Sequence, residues 1–512
     1  MTRILQRILI GMFALVVLAV VIGLFLPNSA HIDRSIAIDV PQQRLFTLVN
    51  GFRTFNQWSP WHDVEPEAST TFRGPNFGVG ATMMWQGERL GTGSQAIIAS
   101  DPPRLVRTAL DFGPQGTAEA EMVLEPAASG TTVTWSLDTE FGMDLIDRYF
   151  GLFFDSLVGA MYEQGLASLK TYAEGLAAPQ VVQEFEERQV TGVAVSSTGR
   201  VFVNFPLWGG THDVSVAELT EDGPVPYPSE SWNSWSVEGP ADPGRRFVCV
   251  QSVFVDSADV LWILDPASPG FTGVVEGGAK MVSVDLSTDE VTRIYHFDSD
   301  AAPPASYLND VRVDVKSRTA YITDSGMGAL VIVDLESGAA RRVLEDHPAL
   351  HAEPNLVPTI GGRELRMANG AVPQVHSDGI ALDTGSGTLY LHALTGRRLW
   401  SIPTRVLDDP ALDDGAIAQH LVDHGETVAT DGMIVGTGGA VYHSAIEHDA
   451  IVVWRPNGEI DFVAVDPLLS WPDSFALSTD GWLYVTTSRI HEAEVFGASR
   501  SEPYRVVRVT LD

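Results

Sequence analysis

WPDSFALSTDGWLYVTTS, residues 471–488, contains the pattern that decides the fold of most of the chain. Two polar residues, Asp473 and Ser474, precede an apolar run. A turn at Ser478–Gly481 separates this run from a second one at Trp482–Thr487. Two short apolar runs joined by a turn are typical of a β-hairpin. The stretch therefore predicts two adjacent antiparallel strands.

The same pattern occurs six times in the sequence. The first residues of the six copies are Thr191, Gln251, Asn309, Asp378, Asp431 and Asp473. Most copies are followed by a second pair of strand-like runs, such as Lys280–Leu286 with Val291–Phe297. Six repeats of four short strands predict an all-β six-bladed β-propeller at about residues 180–512. We expect the ring to close by pairing of Val181–Phe185 with the last strand, Arg505–Leu511.

The composition excludes several classes of partner. The 512 residues include 66 acidic and 32 basic side chains, which gives a formal net charge of −34. A charge of this sign repels nucleic acid and anionic surfaces, attracts cationic ligands and otherwise serves solubility. Cys249 is the single cysteine, so an internal disulfide is excluded.

An apolar segment near the N-terminus predicts a transmembrane anchor within residues 1–30. Residues 8–26 are uncharged and mostly apolar, and as a helix they span about 30 Å, the thickness of the hydrocarbon core. Arg3 and Arg7 precede the segment, which predicts a cytoplasmic N-terminus and a periplasmic or extracellular location for residues 31–512. The alternative is a cleaved signal peptide, although Pro27–Ala30 is a poor cleavage site.

Residues 31–175 have a different pattern. A strand-like run at His31–Val40 and a short helix are followed by several β-like runs. One long amphipathic helix at Asp144–Glu174 completes the unit. This order of elements predicts an α+β helix-grip fold. Six apolar residues at helical spacing form one face of the long helix: Phe150, Phe153, Phe154, Leu157, Val158 and Met161.

This unit resembles the START-like polyketide-cyclase (SRPBCC) superfamily. The resemblance is carried by FNQWSPW at Phe55–Trp61, the strand at Gly78–Trp85, GTTVTW at Gly130–Trp135 and the helix at Gly159–Lys170. It implies a sheet that wraps the long helix and encloses an apolar cavity for a lipid-like or polycyclic ligand. We therefore expect such a cavity beneath the face at Phe150–Met161. The alternative is that this face is ordinary core packing.

The aligned copies of the repeat predict a polar ring. If the first strand of each copy is the innermost strand of its blade, one polar residue per blade surrounds one mouth of the central channel. The second column of the alignment adds Asp310, together with Gly192, Ser252, Gly379, Gly432 and Ser474. Crowded carboxylates do not all ionise, which suits acid–base chemistry by Asp378, Asp431 and Asp473. The alternative is that these residues only start strands and form turns.

Aromatic and histidine side chains lie close to the aligned positions. The candidates for a stacking or cation–π wall are Phe205, Trp208, Tyr307 and Trp471, and inter-blade packing is the alternative role for each. His376 lies two residues before Asp378 and is therefore a candidate general base. Thr191, Gln251, Asn309 and Asp310 complete the predicted ligand-binding set.

The propeller region is similar to the major royal jelly protein / Yellow family over about residues 185–490. The motifs that carry the similarity include RVFVNFP at 200–206, SYLNDV at 306–311, AYITDS at 320–325, DGIAL at 378–382 and WPDSF at 471–475. The resemblance implies a six-bladed propeller. It also implies either the binding of biogenic amines or the conversion of dopachrome. Because the chain has one cysteine, the disulfides of the insect members are absent.

A more distant comparison concerns metal binding. Regucalcin/gluconolactonase propellers hold a divalent metal with Glu, Asn and Asp residues on inner strands. Asn309 and Asp378 occupy matching columns here, whereas Thr191 occupies the column of the Glu. The loss of an anionic oxygen ligand weakens a Ca²⁺ or Zn²⁺ site. We therefore expect no cofactor, and any metal would use Asn309 and Asp378.

Three functional hypotheses follow. The first is that the propeller binds a small aromatic or cationic molecule at its channel mouth, with a lipid-like ligand in the START-like domain. The second is an isomerase that removes a proton near a carbonyl of an aminochrome-like substrate, while Asn309 and Gln251 donate hydrogen bonds to the developing charge. The third is a metal-dependent lactonase, which the threonine at position 191 disfavours.

Overall fold

A computed structural model describes residues 2–209, 212–237, 239 and 242–511. The chain divides after Leu176 into two units, and each unit is described by itself. The elements of the first unit are α1 (Thr2–Phe25), β1 (Ser29–Ile38), α2 (Gln42–Val49), α3 (Pro60–Val64), β2 (Ser69–Arg73), β3 (Thr82–Gln86), β4 (Thr92–Asp101), β5 (Leu105–Asp111), β6 (Thr117–Pro126), β7 (Thr131–Glu140) and α4 (Leu145–Gly175).

The first helix is the apolar segment expected from the sequence. Among the described residues, one helix, at Arg3–Phe25, is long and apolar enough to cross a membrane, with a mean hydropathy of 3.1. A signal sequence near an N-terminus has the same length and composition. The helix therefore establishes a candidate membrane segment and leaves its orientation as a prediction.

The first unit is a helix-grip fold, as predicted. Its seven strands form one antiparallel sheet in the order β1-β7-β6-β5-β4-β3-β2. The long helix α4 begins after Asp144, whose carboxylate accepts hydrogen bonds from the backbone N–H groups of Ile146 and Asp147. Tyr162 of α4 stacks on Trp135 of β7 at 3.9 Å. The C-terminal half of α4 thus packs against the sheet.

The expected cavity beneath Phe150–Met161 does not form there. Phe154 is buried, but Phe150, Phe153 and Leu157 are exposed, so the prediction that they cover an internal cavity is wrong. Helical spacing indicates that a face is apolar, but it does not indicate what covers that face. The cavity inside the sheet has a volume of about 20 Å³, which is room for one water molecule, and Trp58, Gln95 and Trp135 are among its lining residues.

A larger cavity of about 210 Å³ lies where α1 ends. It is bounded by the segment from Pro27 to Ile32 and by α4, which contributes Arg148, Leu152 and Phe154. Most of its wall is apolar, and Arg148 and Asp155 are its charged lining residues.

The second unit is a six-bladed propeller. Its strands are β8 (Gln180–Phe185), β9 (Gly192–Val195), β10 (Val201–Asn204), β11 (Val216–Thr220), β12 (Gly223–Pro226), β13 (Ser252–Val255), β14 (Val260–Asp265), β15 (Lys280–Asp285), β16 (Glu290–His296), β17 (Leu308–Asp314), β18 (Thr319–Asp324), β19 (Ala329–Asp334), β20 (Ala340–Val343), β21 (Thr359–Ile360), β22 (Arg363–Glu364), β23 (Ser377–Asp383), β24 (Thr388–Ala393), β25 (Arg398–Pro403), β26 (Val422–Glu426), β27 (Thr430–Val435), β28 (Val441–Ala445), β29 (Ala450–Trp454), β30 (Ile460–Val465), β31 (Pro472–Leu477), β32 (Trp482–Thr487) and β33 (Tyr504–Thr510). Two short helices, α5 (Thr404–Leu407) and α6 (Asp414–Ala418), lie between β25 and β26.

The blades follow the sequence repeats. Blades 1 to 5 are β9–β12, β13–β16, β17–β20, β23–β26 and β27–β30, and blade 6 combines β31–β33 with β8. The closure is therefore the predicted one, because Tyr504 of β33 pairs with Phe185 of β8. Apolar side chains of neighbouring blades form shared clusters, so each blade completes the core of the next. The first strands of the six blades contact one another in cyclic order, which places them around the axis.

Candidate functional site

β-Bulges place the predicted polar residues at the start of the inner strands. In blades 3 to 6 the pairing with the second strand shifts register across residues 309–310, 378–379, 431–432 and 473–474. These are the two aligned columns of the repeat. A bulge leaves the extra residue unpaired and re-aims its side chain. The repeat at these positions therefore reflects a shared backbone distortion.

Hydroxyl groups of the second strands hold three of the bulges. Thr323 Oγ1 accepts a hydrogen bond from Asp310 N, Ser444 Oγ from Asp431 N, and Thr486 Oγ1 from Ser474 N. Thr323 also donates to the carbonyl of Asp378 in the next blade, at 2.9 Å. All three bulges are thus fixed within their blades, and the bulge of blade 3 is also tied to blade 4.

The ring residues of blades 2 to 5 form a continuous chain of hydrogen bonds. Gln251 Nε2 donates to Asn309 Oδ1 at 3.2 Å, and Asn309 Nδ2 donates to Asp378 Oδ2 at 2.8 Å. The carboxyl groups of Asp378 and Asp431 share a hydrogen bond. The structure therefore brings four of the six predicted first-column residues into direct succession around the axis.

The pKa values of the carboxyl groups in the ring lie above the usual range for aspartate. Burial, followed by the charges of Asp431, Asp310 and Asp473, raises the pKa of Asp378 well above its ordinary value. Burial likewise raises the pKa of Asp431 to about 7, against the effect of its hydrogen bond from Trp471.

The two remaining first-column residues complete the ring. Burial, and next the charge of Asp431, raises the pKa of Asp473 well above its usual value. The Oδ2 atom of Asp473 is buried and has no hydrogen-bond partner among the described residues. Thr191 accepts a hydrogen bond from Asn204 Nδ2 at 2.9 Å and is fully buried. Thr191 is thus part of the scaffold, whereas Asp473 presents a free acceptor.

One cation lies beside the ring, and the sequence analysis did not select it. Arg312 of β17 is buried, lies 3.5 Å from Asp310 Oδ2 and donates to the carbonyl of Met433. Ser252 Oγ donates to the other oxygen of Asp310, at 2.8 Å. Desolvation lowers the pKa of Arg312. A signal existed in the alignment, because the other five copies have an apolar residue in the column of Arg312.

An aromatic group continues the hydrogen-bonded chain towards the surface. Tyr307 OH donates to Gln251 Oε1 at 2.9 Å and accepts from Trp208 Nε1 at 2.6 Å. Phe271 stacks on Trp208 at 5.2 Å, and its centroid lies 4.8 Å from that of Tyr307. Phe271 is 60% exposed, and it belongs to no repeat or motif that would identify it from the sequence. Trp208 and Tyr307 therefore connect the ring with an accessible aromatic surface.

The other two aromatic candidates differ from each other. Trp471 is buried, donates to Asp431 Oδ2 at 2.7 Å and stacks on His491 at 5.7 Å. Trp471 thus belongs to the ring. Phe205 packs edge-on against Phe185 in the apolar cluster between blades 1 and 6. The contacts of Phe205 are those of core packing, the alternative considered for it.

The predicted general base lies beside the ring without a hydrogen bond to its carboxylates among the described contacts. His376 Nδ1 accepts a hydrogen bond from Ala352 N at 3.1 Å, and its ring lies edge-on to His351 at 4.8 Å. Burial, and next His351, lowers the pKa of His376. Its imidazole is therefore neutral at physiological pH, with Nε2 as the nitrogen left for a substrate.

The donor set does not favour a metal ion. Across residues 2–209, 212–237, 239 and 242–511, no group of three or more His, Cys, Asp and Glu side chains is arranged to hold one. Asn309 and Asp378, the pair named for any metal, are hydrogen-bonded to each other.

Two family models match the chain, one in each unit. Residues 29–174 match "Polyketide cyclase / dehydrase and lipid transport", and residues 248–494 match "Major royal jelly protein". A comparison with curated proteins finds no match.

Solved structures of similar fold have low sequence identity. A streptogramin B lyase is 10% identical, with 66% of this chain and 97% of that chain covered and a TM-score of 0.38. A gluconolactonase from Xanthomonas campestris is 12% identical, with 66% and 90% covered and a TM-score of 0.40. A protein from Chromobacterium violaceum is 14% identical, with 28% and 96% covered and a TM-score of 0.22. At these scores the likenesses support neither an activity nor a substrate.

The family matches agree with the motifs quoted from the sequence. They also agree with the helix-grip sheet and the six blades. Each unit therefore matches one of the two families that the sequence motifs indicated, the first unit over residues 29–174 and the propeller over residues 248–494.

Proposed function

We propose that the propeller binds a small organic cation that carries an aromatic ring. The observation that supports this most directly is the set of buried carboxyl groups of Asp378, Asp431 and Asp473. None of the three forms an ion pair with Lys or Arg among the described residues. A bound ammonium group would supply the missing positive charge. The carboxyl groups would then ionise and release their protons.

The aromatic group supports the second half of the proposal. Trp208, Phe271 and Tyr307 present ring faces and edges next to the polar ring. Aromatic faces stabilise both planar rings and organic cations. The ring residues are at most 8% exposed, and Phe271 is the exposed member of the aromatic group, so we place the entrance for the ligand beside Phe271.

Proton release provides the sharpest test of binding. Calorimetry of the full chain in detergent would compare tyramine with 4-ethylphenol, which has the ring but lacks the amine. We expect tyramine to bind, to release protons in buffers of different ionisation enthalpy, and to bind more tightly as the pH rises through about 7, the pKa of Asp431. Equal affinity for the two compounds would contradict a cation site.

A matched pair of variants assigns the site. Asp378 and Asp383 lie at opposite ends of β23, and Asp383 accepts its hydrogen bonds from the following turn. Asp378→Asn should weaken tyramine binding by at least about tenfold, the equivalent of one lost charged hydrogen bond, and should reduce the number of protons released. Asp383→Asn should change neither quantity.

A second function is supported by the proton shared between Asp378 and Asp431. A carboxyl group with a pKa of about 7 can remove and return a proton at neutral pH. In an isomerase of an aminochrome-like substrate, Asp431 would remove a proton from the carbon next to a carbonyl group. Asn309 Nδ2 already donates to Asp378 and Ser325, so Gln251 Nε2, which donates one hydrogen bond to Asn309, would donate the other to the enolate oxygen. His376 Nε2 is the alternative base.

Turnover separates the candidate functions. Loss of aminochrome absorbance that Asp431→Asn abolishes would select the isomerase, and tyramine binding without turnover would select the binding protein. Lactone hydrolysis that EDTA abolishes would contradict both.

We further propose that α1 anchors the chain in a bilayer, with Arg3 and Arg7 on the cytoplasmic side. We also propose that the cavity of about 210 Å³ beside Arg148 takes a small lipid-like group.

A further inference from the structure

The first three turns of α4 carry an exposed apolar stripe. Ile146, Phe150, Phe153 and Leu157 are separated by four, three and four residues, so they lie on one side of the helix. Their exposed fractions are 79%, 47%, 61% and 53%. The N-cap region adds Met143, which is also exposed. An apolar patch of this kind on a folded domain marks an interaction surface.

Another side of the same turns packs against α1. The side chains of Leu145 and Tyr149 lie against Gly23, where a Cβ atom would approach them to 3.3 and 3.1 Å. Tyr149 OH donates to the carbonyl of Ala19 at 2.7 Å. The start of α4 therefore lies beside the last two turns of α1.

Arg148 links the end of α1 to α4. Its guanidinium is buried and donates to the carbonyls of Leu24 and Leu26, at 3.2 and 3.4 Å, and to that of Gly142. The last carbonyls of a helix lack partners within the helix, and a cation there is favourable. Removal of the chain up to Leu26 would leave this buried guanidinium without two of its acceptors.

The contacts with α1 set the depth of the stripe. Ala19 lies six residues before Phe25, or roughly 9 Å along the helix axis. If α1 crosses a bilayer whose hydrocarbon core is about 30 Å thick, Tyr149 reaches below the surface of that core. The exposed residues on the same turns of α4 then lie at the depth where Phe, Tyr and Leu side chains are favourable.

We propose that the first three turns of α4, Leu145–Leu157, insert into the outer interface of the bilayer. The inference rests on the proposal that α1 spans the membrane. The apolar stripe then contacts the interfacial and acyl region of phospholipids. The continuity of the stripe with α1 favours lipid over a protein partner. Because the charged side chains near the stripe include Asp147 and Asp155, the attraction is apolar and needs no anionic lipid.

Spin labels on the full chain in phosphatidylcholine nanodiscs test the insertion. Phe153→Cys probes the stripe, Ala167→Cys probes an exposed position near the other end of α4, and Leu15→Cys probes α1. The native Cys249 is buried, and the unmutated chain serves as its labelling blank. We expect the label at position 153 to be accessible to oxygen and protected from a water-soluble nickel chelate, as at position 15. The label at position 167 should show the reverse.

The outcomes separate the two proposals. A label at position 15 that the nickel chelate reaches would contradict the membrane anchor itself. A label at position 15 in lipid with a water-accessible label at position 153 would overturn the interfacial insertion alone. Protection of position 153 from both reagents, with dipolar broadening between labels, would show that a second copy covers the stripe and would equally overturn it.

Discussion

Two sets of buried carboxylates in the same propeller have opposite environments. Asp265 and Lys280 are fully buried and form an ion pair of 2.6 Å. The pair is saturated, because Lys280 Nζ also donates to the carbonyls of Pro243 and Gly278, and Asp265 accepts from the backbone of Val248. By contrast, Asp378, Asp431 and Asp473 face one another without a paired cation among the described residues.

This difference separates a structural role from a functional one. A buried ion pair whose hydrogen bonds are all made has no donor or acceptor available for a ligand. The free-energy cost of its desolvation is offset by its interactions within the protein. A group of buried carboxyls without cations is kept neutral by raised pKa values, and it gains free energy when a cation arrives. The ring can therefore bind a cation, and without a bound cation its carboxyl groups reduce the stability of the folded chain.

Breaking the saturated pair should have the largest effect. Lys280→Met leaves Asp265 buried with no cation, which costs about 3–5 kcal/mol of the free energy of unfolding. The control is Lys316→Met at an exposed position, which should change stability by less than about 0.5 kcal/mol. Urea unfolding of the full chain in detergent, followed by circular dichroism, measures both. Equal stability of the two variants would show that the pair is not a structural element.

The ring should have the opposite dependence on pH from a surface carboxylate. Since the pKa of Asp431 is raised to about 7 in the folded state, the folded chain binds more protons than the unfolded chain between about pH 4 and 7. The contribution of Asp431 to stability is therefore present at low pH and is lost as the pH rises through about 7. Asp431→Asn should flatten this decline by about 1 kcal/mol per pH unit.

Asp285 provides the matched control for the pH experiment. Hydrogen bonds from Ser287 lower the pKa of Asp285, so its stabilising contribution is present above the ordinary aspartate pKa and is lost on acidification. Asp285→Asn should thus change the acid side of the stability profile and leave the decline towards neutral pH unaltered. A decline that is as steep in Asp431→Asn as in the unmutated chain would contradict the assignment of a titrating proton to Asp431.

The sequence predicted the blades and the ring because both repeat. A hairpin pattern that recurs six times identifies the four-stranded blades. The recurrence of polar residues at the first position reflects bulges that occur at the same place in blades 3 to 6. Closure by β8 was predicted because propellers commonly pair a strand from one end of the chain into the blade at the other end.

Features that occur once were missed or misassigned. Phe271 lies between β14 and β15, outside the aligned copies of the repeat, so no alignment column contained it. The stripe on α4 was assigned to a cavity because 3.6-residue periodicity is the same for a face against a sheet and for a face against solvent or lipid. Arg312 could have been found, as the single charged residue in an otherwise apolar column.

Trp208→Phe should produce the smallest effect and test whether the aromatic group acts together with the carboxylates. The change keeps the stacking on Phe271 but removes the hydrogen bond to Tyr307, which costs about 0.5–1.5 kcal/mol, or at most about tenfold in affinity for tyramine. Trp262→Phe is the matched control, because it removes an indole hydrogen bond to Asp256 elsewhere in the propeller. Calorimetry should show weaker binding for Trp208→Phe and unchanged binding for Trp262→Phe. Equal losses in the two variants would mean that the effect arises from general destabilisation, and that Tyr307 and Gln251 do not couple the aromatic surface to the ring.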